Sequence, residues 1–225
     1  MKYSYKVYNP FDIEQKISLE IHVNDDLELD YEKATWVAVD TEFLSLNQLQ
    51  DQLCVIQIAS IIDSVPRVEI LPVFNKKPGK NLTKLMTNSK IGKIFHYSKA
   101  DMPRIESFIG KNIEGKIFDT YIASRLILTN VSDYSLEGTI QYLVNPKYQK
   151  NKKITESEWD LPVEMWEEEQ IEYSANDVLY LEAIMKKLEA IAHRRGKTEI
   201  LKKVMELTPD MLMLINNGYD LSKLF

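Results

Sequence analysis

Apolar residues recur along this chain at two spacings, and the switch between them marks out the architecture. Runs with period-2 or continuous apolar character fall at 36–43, 53–60, 67–73, 93–97 and 115–119 and predict β-strands. Helical spacing predicts helices over 82–89, 103–110, 120–128 and 136–144, then a long pair within 163–196. Three strands in succession followed by α/β alternation indicate an α/β protein with a mixed central sheet flanked by helices. Residues 1–29 form an N-terminal extension whose alternation around Lys16–Val23 is compatible with an edge hairpin. Residues 196–225 read as a helical tail, two short helices with an apolar stripe that either packs on the domain or makes a dimer contact, so monomer and homodimer both stand. No repeat or low-complexity linker interrupts the chain, which is expected to be one domain over 1–225 with a core of about 30–195.

Composition agrees with a single core: 225 residues, 44% hydrophobic, enough to bury a sizeable interior. No apolar run approaches a membrane span and Met1–Lys6 is not a signal peptide, so a soluble, cytoplasmic protein is expected. The one cysteine, Cys54, excludes an internal disulfide and sits in an apolar strand pattern, which favours a buried, inert thiol.

The strand at 36–43 carries the first chemistry. Asp40 and Glu42 stand two residues apart in an otherwise apolar run, so they point to the same face of the sheet. Two buried like charges need a cation or raised pKa values, and oxygen-only ligands suit Mg²⁺ or Mn²⁺. Asp101 follows a short strand and precedes a helix expected to open at Pro103; helix capping and metal binding are both open to it. Asp177 lies in an apolar helical stripe with Tyr173, Tyr180, Leu181 and Ile184. Tyr173, four residues earlier, places a phenol beside that carboxylate, where it can hydrogen-bond a water and aim it at a phosphorus.

Asp40-x-Glu42, Asp101 and Tyr173-x-x-x-Asp177 resemble the three exonuclease motifs of the DEDD superfamily, in its tyrosine branch. Asp40-Thr41-Glu42-Phe43, Leu53-Cys54-Val55-Ile56-Gln57-Ile58, Phe118-Asp119-Thr120, Ser157-Glu158-Trp159 and Tyr173-Ser174-Ala175-Asn176-Asp177 narrow the resemblance to the ribonuclease D group, over about 36–187. Glu158 stands where that group usually has Asp, and Ser174 where Ala is commoner. The resemblance implies a ribonuclease H-like fold and a 3′-5′ exoribonuclease that releases nucleoside 5′-monophosphates. It also implies two divalent ions, Mg²⁺ or Mn²⁺, one held by Asp40, Glu42 and Asp177 and the other by Asp40 and Asp101. With a phenol pKa of about 10, Tyr173 orients the water rather than acting as a strong base. Bacterial ribonuclease D carries helical HRDC domains after its nuclease domain. Residues 186–225 are too short for one, so a nuclease-only relative is expected.

The implied partner is the single-stranded 3′ end of RNA, in tRNA or other structured-RNA processing. DNA 3′ ends, or binding without cleavage, are the alternatives. A net charge of −6 sits oddly with phosphate binding. Lysines are nonetheless concentrated in acid-free stretches: Lys76, Lys77, Lys80, Lys84, Lys90, Lys93 and Lys99 in one, Lys147, Lys150, Lys152 and Lys153 in the other. Further substrate contacts considered are Phe43 and Leu44 as a wedge beside the terminal base, His96, Lys152, Lys153 and Trp159. Core packing competes for Phe43 and Leu44, and local satisfaction for His96. Asp119 is expected to cap a helix entry or to support a ligand.

Overall fold

A computed structural model of the chain describes residues 1–44, 52–62, 65–151, 154 and 158–219. Among these residues seven strands, β1 (Lys2–Asn9), β2 (Asp12–Val23), β3 (Trp36–Phe43), β4 (Leu53–Ile62), β5 (Val65–Pro72), β6 (Gly92–Phe95) and β7 (Ile117–Asp119), form one mixed sheet. Their order across it is β1-β2-β5-β4-β3-β6-β7. β3, β4 and β5 are the antiparallel meander that the spacing predicts. β6 lies parallel to β3, and β7 parallel to β6. The C-terminal ends of β3, β6 and β7 therefore open on the same edge. The N-terminal alternation becomes the β1–β2 hairpin, which joins the sheet through parallel pairing of β2 with β5.

The helices are α1 (Lys80–Met86), α2 (Ser98–Ile109), α3 (Thr120–Ile127), α4 (Leu136–Leu143), α5 (Glu168–Leu179), α6 (Leu181–Arg194) and α7 (Thr198–Asn216), with a 3₁₀ turn at Val163–Met165. The period of β3 divides the core into two layers. Val37 and Val39 face a cluster that includes Leu82, Met86, Met102 and Ile105 of α1 and α2. Ala38 faces the layer of Ile171 and Val178 on α5 and Ile184 and Leu188 on α6. Both valines are fully buried, which contributes about 1.5–3 kcal/mol each. Asp40 and Glu42 share the parity of Ala38, so the strand turns them toward α5, which packs across β3, β4 and β5.

Two helices depart from the pattern expected of them. α2 begins at Ser98, five residues before Pro103, so that Pro103 lies inside it. The tail is one helix, α7, with Pro209 inside, and it buries Leu201, Met205, Thr208 and Leu212. It packs on β7, α3 and α6 and thereby covers the edge of the sheet. Among the described residues, no helix is long and apolar enough to cross a membrane. Cys54 is buried, and its Sγ donates to the Gln52 carbonyl at 3.4 Å.

Candidate active site

Ligand oxygens of Asp40, Glu42 and Asp177 lie within 4.8 Å of one another at the open end of β3. Asp40 and Glu42 come from the strand and Asp177 from α5. The long-range packing of α5 across the meander completes what each element supplies alone. Asp101, in the first turn of α2, is 2% exposed. Its Oδ1 accepts a 2.6 Å hydrogen bond from the Thr41 hydroxyl, the strand residue between the two acids. Gln57, opposite Asp40 on β4, donates from Nε2 to Glu42 Oε1 at 3.3 Å. Oδ1 of Asp177 is buried without a hydrogen-bond partner.

The electrostatics follow from this crowding. Burial, and then the neighbouring Asp101, Asp177 and Glu42, hold the Asp40 carboxyl well above the usual carboxylate range. Burial and Asp177 raise Glu42 to about 8. Burial raises Asp101 to about 7 against the Thr41 hydrogen bond, which favours the ionised form. Asp177 is raised by burial against the pull of Lys150. Four carboxyls held above their usual range, three of them converging and one with an orphaned oxygen, form a set that a divalent cation would relieve, so the residues fit the metal that the motifs imply.

Tyr173 is 6% exposed, and burial followed by Asp177 pushes its hydroxyl up to about 12. It therefore keeps its proton at neutral pH and acts as a donor. Trp159 is not a surface contact: it is 2% exposed and lies in the core, with ring centroids 5.4 Å from Trp166 and 6.2 Å from Tyr173. From there it supports the phenol from behind.

Lys150 is the residue of this site that sequence reasoning left in a lysine patch. Its Nζ lies 2.8 Å from Asp177 Oδ2 and 4.5 Å from the centre of the Tyr173 ring. Nothing local in the sequence marks it, because its position depends on how the segment after α4 is held. The Lys150 amide donates to Glu137 Oε1 at 2.9 Å, and Gln141 Nε2 donates to the Tyr148 carbonyl at 2.8 Å. The Tyr148 ring packs on Tyr180. Lys152 and Lys153 lie outside the described residues.

Asp119 caps two helices at once. Oδ1 accepts from the amides of Tyr121 and Ile122 at the start of α3, and Oδ2 accepts from the amide and hydroxyl of Ser98 at the start of α2. Because Asp119 fills the capping role, the Asp101 carboxylate is left to Thr41, and it lies outside the three-acid cluster of Asp40, Glu42 and Asp177. His96 has both ring nitrogens engaged, Nδ1 with the Thr120 hydroxyl at 2.8 Å and Nε2 with the Tyr134 carbonyl at 3.1 Å. Burial lowers its pKa to about 4, so the ring is neutral. Phe43 is half-buried under the Arg104 guanidinium, 3.9 Å from the ring centre, and Leu44 is 45% exposed beside it. Three of the seven lysines in the first stretch have partners within the fold. Lys76 pairs with Asp25 and Lys84 with Glu32. Lys93 is fully buried, its ammonium donating to the carbonyls of Asn88, Ile91 and Glu114.

The fold and the acid cluster at the end of β3 are those of a nuclease, and residues 17–192 match the 3′-5′ exonuclease family. The chain belongs to that family. Its sequence is 28% identical over 182 residues to ribonuclease D of Sphingobium indicum and 26% over 177 residues to that of Nitrobacter hamburgensis. It spans 42–44% of the length of these curated relatives. The structure of Brucella melitensis NrnC bound to pGG superposes with a TM-score of 0.76 at 31% identity, covering 89% of this chain and 96% of that one. NrnC with bound Mg²⁺ superposes at 0.75, also at 31% identity and with the same coverage. Escherichia coli RNase D shares the fold, with a TM-score of 0.64 at 21% identity over 80% of this chain and 44% of that one.

Proposed function

We propose that the chain is a metal-dependent 3′-5′ exoribonuclease that removes nucleoside 5′-monophosphates from single-stranded RNA 3′ ends in the cytoplasm. The observation that carries this reading is the convergence of Asp40, Glu42 and Asp177 within 4.8 Å, with a buried Asp177 oxygen left unpartnered. Asp40, Glu42 and Asp177 would hold one Mg²⁺ or Mn²⁺ ion, and Asp40 with Asp101 a second. Bound there, such ions supply the charge that activates water and stabilises a leaving 3′-oxygen in phosphodiester hydrolysis. The protein's part is positioning. Thr41 holds Asp101, Gln57 holds Glu42, and the protonated Tyr173 hydroxyl orients the attacking water in line with the phosphorus. Because NrnC binds pGG, short RNA is the first substrate to try, ahead of tRNA or other structured-RNA 3′ ends.

The test is hydrolysis of a 5′-labelled single-stranded RNA and its all-deoxy counterpart with Mn²⁺, Mg²⁺ or EDTA, wild type beside Asp40→Asn. A metal-dependent ladder shortening from the 3′ end of the RNA, absent in the variant, is expected. Equal cutting of both polymers refutes the RNA preference, and activity retained by Asp40→Asn refutes the metal assignment.

A further inference from the structure

We propose that Lys150 is a further catalytic residue: a fixed positive charge that shares Asp177 with the divalent ion and carries negative charge on the substrate phosphate. The inference rests on the exonuclease reading of the same site.

The two oxygens of Asp177 have different surroundings. Oδ2 is taken by the Lys150 ammonium at 2.8 Å, while Oδ1 is buried and without a hydrogen-bond partner. The carboxylate is thus divided between a resident cation on one oxygen and an open ligand position on the other. The same ammonium stands over the ring of Tyr173, 4.5 Å from its centre. Lys150 therefore touches both a proposed metal ligand and the phenol proposed to orient the water, a position from which its charge can act on a phosphate bound at the site.

The placement is built into the fold. The Lys150 side chain is 24% exposed and that of Asp177 2%, so the pair is held largely out of water. The backbone beside it is fastened through Glu137, Gln141 and the Tyr148–Tyr180 contact. A lysine that only fastened the loop could have bonded a carbonyl at the surface, as Lys187 does with Leu143.

A cation next to a shared ligand opposes a divalent ion, whereas a cation next to a phosphate favours hydrolysis. The two effects move oppositely when the charge is removed. Lys150→Gln keeps an N–H donor for Asp177 and so preserves the contact, while Lys150→Arg keeps the charge. Each is titrated calorimetrically with Mn²⁺ without nucleic acid, and each is assayed in single-turnover RNA hydrolysis at saturating Mn²⁺.

In Lys150→Gln the Mn²⁺ dissociation constant should fall about tenfold while hydrolysis slows by about 100-fold. Lys150→Arg should restore most of both. Overturning results are a Gln variant that matches wild type in both readouts, or one that loses metal affinity and turnover together, which would make Lys150 a support for Asp177 only. If the wild type itself cuts no RNA, the exonuclease reading fails and the catalytic claim with it, whereas the Mn²⁺ titration still tests the shared carboxylate. Wild-type cleavage with an unaffected Gln variant refutes only the role of Lys150.

Discussion

Replacing Asp119 by alanine should strongly destabilise the fold that holds Asp101. The carboxylate is 1% exposed and accepts hydrogen bonds from Ser98 N (2.7 Å), Ser98 Oγ (2.6 Å), Tyr121 N (2.9 Å), Ile122 N (3.0 Å) and, more weakly, Tyr97 N (3.3 Å). Loss of an N-cap costs about 1 kcal/mol for each of the two helices. Leaving the buried Ser98 hydroxyl without its acceptor adds about 1–3 kcal/mol, for a total of about 3–5 kcal/mol. That is a large fraction of the 5–15 kcal/mol typical of a whole domain. Asp119→Asn keeps one acceptor oxygen and turns an NH₂ toward the remaining donors, so it should lose roughly half as much. Urea unfolding followed by circular dichroism reads the effect as a lower midpoint at unchanged slope. RNA hydrolysis should fall in step, because the first turn of α2 carries Asp101. A loss below ~1 kcal/mol in Asp119→Ala would refute the double cap, and an activity loss in a fully stable variant would make Asp119 part of the chemistry instead.

Tyr173→Phe should slow single-turnover hydrolysis by about 10- to 100-fold, the scale of a misplaced reactant, with Mn²⁺ affinity preserved in calorimetry; lost metal binding would mean that the phenol is a ligand. Glu42 and Asp101 have folded pKa values of about 8 and about 7, raised above their unfolded values near 4. In EDTA the folded protein therefore holds protons that the unfolded chain releases, so stability should decline as pH rises from about 4.5 through 8. Mn²⁺ displaces those protons, so the Mn²⁺-induced rise in Tm should be larger at pH 8 than at pH 6; equal rises would show the acids already ionised. Lys93→Met strips the donor from three carbonyls that its ammonium joins at 2.6–2.9 Å, and should cost about 3 kcal/mol or more. In a chain of this size that is a drop in Tm of roughly 6–12 °C by calorimetry, and a change under ~2 °C would show the cage dispensable.

What the sequence by itself determined lies within single elements. The period of β3 puts Asp40 and Glu42 on one face, and the helical period of α5 puts Tyr173 beside Asp177, because side-chain direction follows from backbone geometry over a few residues. The meander, the parallel strands after it and the α5–α6 pair were legible for the same reason. Tertiary structure decided everything that needs a partner from elsewhere in the chain. α1 starts where Asp26 accepts from the Asn81 and Leu82 amides, and α2 where Asp119 accepts from Ser98, not at Pro103. A helix cap needs only an acceptor at the right point in space, and no local pattern reports one contributed from more than twenty residues away. By the same logic Trp159 turned inward, Lys93 was drawn into a buried carbonyl cage, Lys76 and Lys84 were paired with acids at the surface, and Lys150 came to stand over Tyr173. Charge and hydrogen-bond partners are chosen by proximity after folding, whereas the faces of strands and helices are set before it.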